Sequence, residues 1–236
     1  MNRNTIRVTT VGAALGVAAI FAPAAASAAP GDWVSEHCAP VATPGNPDGW
    51  GNPFRDEVGV AGEIVTTTVV DDDGSLELAT SAQKPRRASY HEAGRLPLSE
   101  LIEQGKPLTF QKSAGQANWQ IRVTGANTGS GDGFMTLVWS APAGAGTTEN
   151  ALQSDRWFSS RALPGLPQGA NGTLAEFAEA AGDATVIDHY GISSQPGTSD
   201  AAKVNVDNVS FNGCTTNFKA TNDGGGGGSL EGILPF

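Results

Sequence analysis

Basic residues are scarce in this 236-residue chain, in which 14 Lys and Arg stand against 24 Asp and Glu for a formal net charge of −10. Proteins that bind nucleic acid need a basic surface to displace phosphate counterions, so this composition argues against such a partner. The same deficit disfavours attraction to an anionic membrane surface. We interpret the acidity first as a property that keeps the protein soluble.

Long apolar runs are absent after the first 28 residues. The start of the chain has the features of an export signal: a basic segment over 1–7, an uncharged apolar segment over 11–26, and the A-x-A site Ala26-Ser27-Ala28. The apolar segment is too short for a membrane anchor. We therefore predict a cleaved signal peptide over 1–28 and a secreted or cell-surface protein with no transmembrane segment. Cleavage would remove Arg3 and Arg7 and leave 12 of the 14 basic residues against 24 acidic ones.

Cysteine is the next scarce residue, because the chain has only Cys38 and Cys214. In an exported protein two cysteines most simply form one disulfide, which here would tie the start of the mature chain to its end. The alternatives are free thiols or a metal site. Neither cysteine lies in a C-x-x-C pattern, and the adjacent His37 alone makes a poor metal site.

Short segments rich in β-branched residues or with alternating polarity predict strands separated by Gly- and Asn-rich loops. The clearest predicted strands are 63–70, 75–80, 106–112, 118–123, 134–139, 185–190 and 203–211. The Pro- and Gly-rich stretch 30–57 is expected to be irregular and not helical. These patterns predict one all-β domain over 29–218, an antiparallel β-sandwich, followed by a flexible Gly-rich tail over 219–236.

One short helix is predicted in this β-rich chain. Thr173 and Glu176 form a capping-box pattern before an apolar helical repeat, and Gly182 would end the helix. A single helical turn is also expected over 98–103, with Ser99 as its cap.

The closing strand has a break in its alternation. Val204 and Val206 share one face, whereas Val209 and Phe211 fall on the other. This phase change predicts a β-bulge between Asp207 and Asn208, or a strand buried on both faces.

The region 174–218 carries a resemblance to a known class of proteins. The helix TLAEFAEAAGDA, the strand TVIDHYGIS and the sequence Val206-Asp207-Asn208-Val209 resemble the end of a jelly-roll module of exported, actinobacterial-type proteins that is similar to carbohydrate-binding modules. The resemblance implies a jelly-roll-like sandwich, a glycan or cell-envelope ligand, and a structural calcium ion at Asp207. The alternative for Asp207 is a hydrogen bond that caps a neighbouring loop. Residues 71–77 resemble part of an EF-hand loop, but a hairpin turn is the favoured interpretation because strands flank them.

A glycan-binding protein needs aromatic side chains with an accessible face. Trp50 and Trp157 lie among loop residues and, with Tyr190, are the predicted ligand-binding residues. Trp119 and Trp139 lie on apolar strand faces and are predicted to be core residues.

Catalytic motifs are missing, because the chain has neither a G-x-S-x-G elbow nor an H-E-x-x-H sequence. Asp188 and His189 are adjacent on a predicted strand, where alternation would point them to opposite faces and prevent a dyad. We therefore expect a non-catalytic binding or surface-interaction protein. The alternatives are a hydrolase of an envelope polysaccharide and a structural surface protein with a docking tail.

Overall fold

Strands dominate the computed structural model, which describes residues 30–54, 60–196 and 202–220. The predicted signal peptide and the tail from residue 221 lie outside the described residues. A short 3-10 turn covers Ala151–Gln153. In chain order the other elements are α1 (Pro30–His37), β1 (Val41–Ala42), β2 (Glu63–Val65), β3 (Ser75–Thr80), β4 (Arg87–Pro97), α2 (Leu98–Gln104), β5 (Thr109–Lys112), β6 (Asn118–Thr124), β7 (Met135–Ser140), β8 (Gly146–Thr147), β9 (Trp157–Ser159), α3 (Leu174–Ala181), β10 (Val186–Ser194), β11 (Ala202–Phe211) and β12 (Cys214–Phe218).

Two sheets pack as a sandwich, which confirms the predicted all-β class. The first sheet has the order β1-β12-β11-β3-β2, and β5 extends it by pairing with both β11 and β8. The second has the order β4-β10-β6-β7-β9. The strand pairs of both sheets are antiparallel, except that β1 runs parallel to β12.

Aromatic contacts between the two sheets form the centre of the core. Tyr190 of β10 stacks on Phe211 of β11 with ring centroids 3.9 Å apart, and Trp119 of β6 meets Phe110 of β5 at 5.7 Å. Trp119 and Trp139 are fully buried, which confirms their predicted place in the core. Burial of such rings is the largest apolar contribution that single residues make to a sandwich core.

The predicted disulfide is present between Cys38 and Cys214, with a Cα–Cα distance of 5.4 Å. It joins the residue after α1 to the first residue of β12 and closes a loop with a sequence separation of 176. In the chain-entropy model, closing a loop of this length stabilises the folded state by about 5 kcal/mol.

The helix α1 corrects the prediction that the stretch from residue 30 is irregular. Trp33 supplies the reason, because it is 3% exposed, packs on Phe211 at 5.7 Å and donates a hydrogen bond from Nε1 to the Ala93 carbonyl at 2.9 Å. Proline is compatible with a first helical turn, so Pro30 does not prevent this tertiary packing from fixing a helix. From Ala39 to Phe54 the chain is irregular apart from β1, as predicted.

The helix α3 has the predicted capping box, in which the Thr173 hydroxyl accepts from the Glu176 amide and the Glu176 carboxylate accepts from the Thr173 amide. The predicted cap of α2 is wrong. Pro97 holds the N-cap position there, and no side chain caps the helix.

The strand β4 has no counterpart among the predicted strands, although it is the longest in the described chain. Gly94 and Arg95 both have positive φ and interrupt its alternation, which removes the period-2 pattern from the sequence. By contrast, the strand predicted over 63–70 is shorter in the structure. It ends at Val65, and the Ser75 hydroxyl donates to the Thr67 carbonyl, so that 66–74 forms a loop.

Candidate functional site

The three aromatic residues predicted to bind a ligand are in the core and offer no accessible face. Trp50 is 5%, Trp157 0% and Tyr190 1% exposed. Trp157 donates from Nε1 to the Ala151 carbonyl at 2.7 Å, and Trp50 packs edge-on against Phe218 at 5.0 Å. The structure therefore explains these three aromatic residues by packing.

An acidic cluster forms where the loop 66–74 meets the closing strands. Asp71 and Asp73 come from this loop and Asp207 from β11, and one ligand atom from each lies within 4.8 Å of the others. The predicted bulge brings Asp207 here: Asn208 has φ 47°, and the pairing of β11 with β5 shifts register between Asp207 and Ser210. The loop that the sequence favoured as a simple hairpin turn thus supplies two carboxylates to the predicted metal residue.

Several oxygens in this cluster have no hydrogen-bond partner among the described residues. Asp207 is fully buried, and only its Oδ1 is bonded, to the Phe218 amide at 2.9 Å; Oδ2 has no partner. Asp71 Oδ1 and Asn217 Oδ1 are also buried without a partner. Asn217 Nδ2 donates to Asp73 Oδ2 at 3.0 Å and so fixes the orientation of this amide. The hydrogen bond at Oδ1 matches the alternative role of Asp207 as a cap, but it leaves Oδ2 unexplained.

The carboxyl groups of the cluster perturb one another. Burial, reinforced by the charges of Asp71 and Asp73, raises the pKa of Asp207 to about 6. The hydrogen bond with Asp73 raises the pKa of Asp71, and the same bond, with help from Asn217, lowers the pKa of Asp73. In the absence of a cation, the cluster therefore binds a proton more readily than isolated carboxyl groups do. Carboxylate and amide oxygens are ligands that Ca²⁺ prefers, so Asp71, Asp73, Asp207 and Asn217 could hold this ion.

A polar cleft of about 270 Å³ lies on the outer face of the five-stranded sheet. In β6, Trp119, Ile121 and Val123 point into the core, so Asn118 and Gln120 lie on the opposite face. Amide, hydroxyl and guanidinium groups dominate the lining, which comprises Arg86, Gln116, Asn118, Gln120, Thr136, Val138, Ser140, Phe158, Ser160 and Gln195.

Hydrogen bonds hold the amides of the cleft in place. Gln120 Nε2 donates to the Ser193 hydroxyl at 2.9 Å, and Asn118 Nδ2 donates to the Ser193 carbonyl at 3.4 Å. Arg86 donates to the Tyr90 hydroxyl at 2.9 Å. The side-chain oxygens of Gln116 and Asn118 are buried and accept no hydrogen bond within the described residues. Of these two acceptors, the one on Asn118 is held in place by the hydrogen bond from its own amide nitrogen.

A larger cleft of about 650 Å³ brings together His37, His91 and His189, the three histidines of the chain. Burial lowers the pKa of His91, although its ring nitrogens lie 2.9 Å from the Glu92 carbonyl and 3.1 Å from the Asp48 carbonyl. Three carboxylate residues, Glu36, Asp48 and Glu92, also line this cleft.

The prediction that Asp188 and His189 cannot form a dyad is wrong. His189 Nδ1 lies 2.7 Å from Asp188 Oδ2. The register of β10 with both neighbouring strands shifts between Ile187 and His189, and this bulge breaks the alternation on which the prediction rested. The pair orients an imidazole at the larger cleft, whose lining contains no serine or threonine among the described residues.

Comparisons with known proteins found no matching family model, no matching curated protein and no matching solved structure. Among the described residues, no helix is both long and apolar enough to cross a membrane.

Proposed function

We propose that this protein is an exported, non-catalytic module that binds a glycan of the cell envelope in the polar cleft. The observation that carries the proposal is the pair of acceptors on Gln116 and Asn118, which have no hydrogen-bond partner among the described residues. Sugar hydroxyls are donors of the kind these oxygens lack, and buried polar groups normally have a partner. The disulfide supports export, since such bonds persist in oxidising compartments.

Although the predicted tryptophans are buried, the lining of the cleft has a composition that suits a sugar. Phe158 provides an apolar surface beside the amides, and Arg86 provides a donor. A neutral or acidic glycan suits this set, because no carboxylate lines the cleft among the described residues. A basic ligand would find no charge partner there.

The test is a glycan array and a cell-wall pull-down with the mature protein, followed by titration of any retained sugar. Gln116→Ala and Asn118→Ala should each weaken binding about fivefold, the size of one neutral hydrogen bond. Gln153→Ala is the matched control, because this exposed amide lies outside the cleft. No retention on any glycan or on cell walls, with the fold intact by circular dichroism, would refute the proposal.

The acidic cluster is the proposed calcium site of the same module, and its role is to hold the loop 66–74 against the closing strands. Calcium should raise the unfolding midpoint, by an amount that grows with its concentration. Magnesium should do so less, because it requires a smaller, near-octahedral shell. Equal effects of calcium, magnesium and sodium would exclude the site.

Hydrolysis of an envelope polysaccharide is the second candidate, and the Asp188–His189 pair at a cleft with several carboxylates favours it. Incubating the protein with cell-wall polysaccharide and measuring reducing ends tests this function. Activity that disappears in His189→Ala but not in Asn118→Ala would assign the larger cleft as the working site.

A further inference from the structure

An apolar groove of about 340 Å³ lies beside the edge strand β2 and shares no lining residue with the polar cleft. Its lining includes Thr43, Pro44 and Pro47 of the irregular segment and Glu63 and Ile64 of β2. The strand β2 pairs with β3 and, among the described residues, with no other strand. Unpaired strand edges beside apolar pockets accept extended peptides by strand addition.

One wall of this groove carries a polar group without a partner. Trp50 lines the groove and is only 5% exposed, and its Nε1 has no hydrogen-bond acceptor among the described residues. By contrast, Trp33 and Trp157 donate from Nε1 to backbone carbonyls, and Trp139 donates from Nε1 to the Ser154 hydroxyl. A peptide carbonyl in the groove would supply the acceptor that Trp50 lacks.

The last described residues of the chain lie beside this groove. Lys219 donates its amide to the Ala42 carbonyl at 2.8 Å, directly before the groove residue Thr43. Ala220 donates its amide to the Asp73 carbonyl at 2.7 Å. Ala220 also lies close to β2. A Cβ atom placed on Gly74 would be 2.6 Å from the Ala220 nitrogen and 2.8 Å from the carbonyl oxygen of Val65, the last residue of β2. The segment before Thr43 and the strand β2 are therefore both close to the last described residue, Ala220.

The sequence after Ala220 contains a matching apolar segment. Gly224–Gly228 precede Ser-Leu-Glu-Gly-Ile-Leu-Pro-Phe, whose apolar members are Leu230, Ile233, Leu234 and Phe236. A Gly-rich chain of ten residues has a root-mean-square span of about 17 Å, enough to place this segment in an adjoining groove. A tether of this length gives a local concentration in the millimolar range, so even a weak contact would be occupied.

We propose that the apolar segment 230–236 docks into the groove between Pro44 and Ile64 of its own chain. The segment adds along the edge of β2, its apolar side chains fill the pocket, and one of its carbonyls accepts from Trp50 Nε1. This interaction is independent of the glycan cleft. The partner of the docking tail is then the β-sandwich domain of the same chain.

Hydrogen exchange of the full mature chain tests this proposal. Leu234→Asp should speed amide exchange at 62–65 at least tenfold and shift the indole N–H resonance of Trp50. Ser229→Asp is the matched control, because it adds the same charge to the tail outside the apolar segment. Neither substitution lies within the described domain, and a circular dichroism spectrum identical to that of the parent would show that the fold is intact.

Repeating the exchange measurement at several protein concentrations separates docking within a chain from docking between chains. Docking within a chain predicts protection of β2 that is independent of protein concentration. Protection that grows with concentration would assign the groove to a second copy and overturn the proposal. Identical exchange and an identical Trp50 resonance in Leu234→Asp and the parent protein would overturn it as well.

Discussion

Replacing Asp207 by Asn should remove a loss of stability that the calcium-free protein undergoes as the pH rises. The Asp207 carboxyl has an ordinary pKa of 3.8 when unfolded and about 6 when folded, because burial disfavours the charged form. Between these values the folded state retains a proton that the unfolded state has released. Stability from this group is therefore present at low pH and is lost as the pH rises through the folded pKa.

The magnitude follows from the same two values. A difference of about 2 pKa units corresponds to about 3 kcal/mol of unfolding free energy, lost between roughly pH 4 and pH 7. Asp207→Asn removes this titration while its Oδ1 can still accept from the Phe218 amide. The variant should therefore be more stable than the parent at neutral pH in calcium-free buffer, by up to about 3 kcal/mol.

Urea unfolding across this pH range, with and without millimolar calcium, measures the effect. Calcium should restore the neutral-pH stability of the parent and leave Asp207→Asn unchanged. Asp72→Asn is the control, because Asp72 belongs to the same loop but is exposed and outside the cluster. The reasoning would be refuted if Asp207→Asn were less stable than the parent at neutral pH without calcium. A calcium response retained by the variant would refute the ligand set.

Three further changes probe the frame around these sites. Removing the disulfide with Cys38→Ser and Cys214→Ser should lower the unfolding free energy by up to about 5 kcal/mol, which denaturant titration under non-reducing conditions would show. Gly191→Ala should destabilise the protein severely, since its Cβ would lie 2.1 Å from a backbone oxygen of the adjacent strand, whereas Gly45→Ala, with open space around it, should leave the thermal midpoint unchanged. Thr173→Ala removes the cap of α3 and should cost about 1 kcal/mol; equal stability of the variant and the parent would show that the cap does not matter.

The predictable parts of this fold are those in which local pattern and tertiary environment agree. β6 alternates between core and outer face and was predicted within one residue, and the Thr173 capping box is entirely local. The helix α1 was missed because its stability comes from Trp33 packing on a strand far away in sequence. The strand β4 was missed because two residues with positive φ erase its period.

The full ligand set of the acidic cluster could not be predicted from the sequence. The resemblance implied a metal at Asp207, but a single acid gives no ligand set, and the acids at 71–73 have the composition of an ordinary turn. Their convergence depends on the pairing of β11 with β3, which no short-range signal encodes. The aromatic candidates failed for the opposite reason. Trp50 and Trp157 lie among loop residues in the sequence, yet these segments fold back over the core.

The strand β12 connects the features at this end of the sandwich. The disulfide holds its first residue, Cys214, to the end of α1, and the Phe218 amide holds its last residue to Asp207. Phe218 in turn packs edge-on against Trp50, which lines the apolar groove. If the Asp207 carboxylate had neither a cation nor a proton to offset its charge, its contact with Phe218 would weaken, and the packing of Phe218 against the groove residue Trp50 would loosen. The disulfide would still hold the other end of the strand. A cation at the cluster and a peptide in the groove would thus stabilise the same strand end, so each is expected to strengthen the binding of the other.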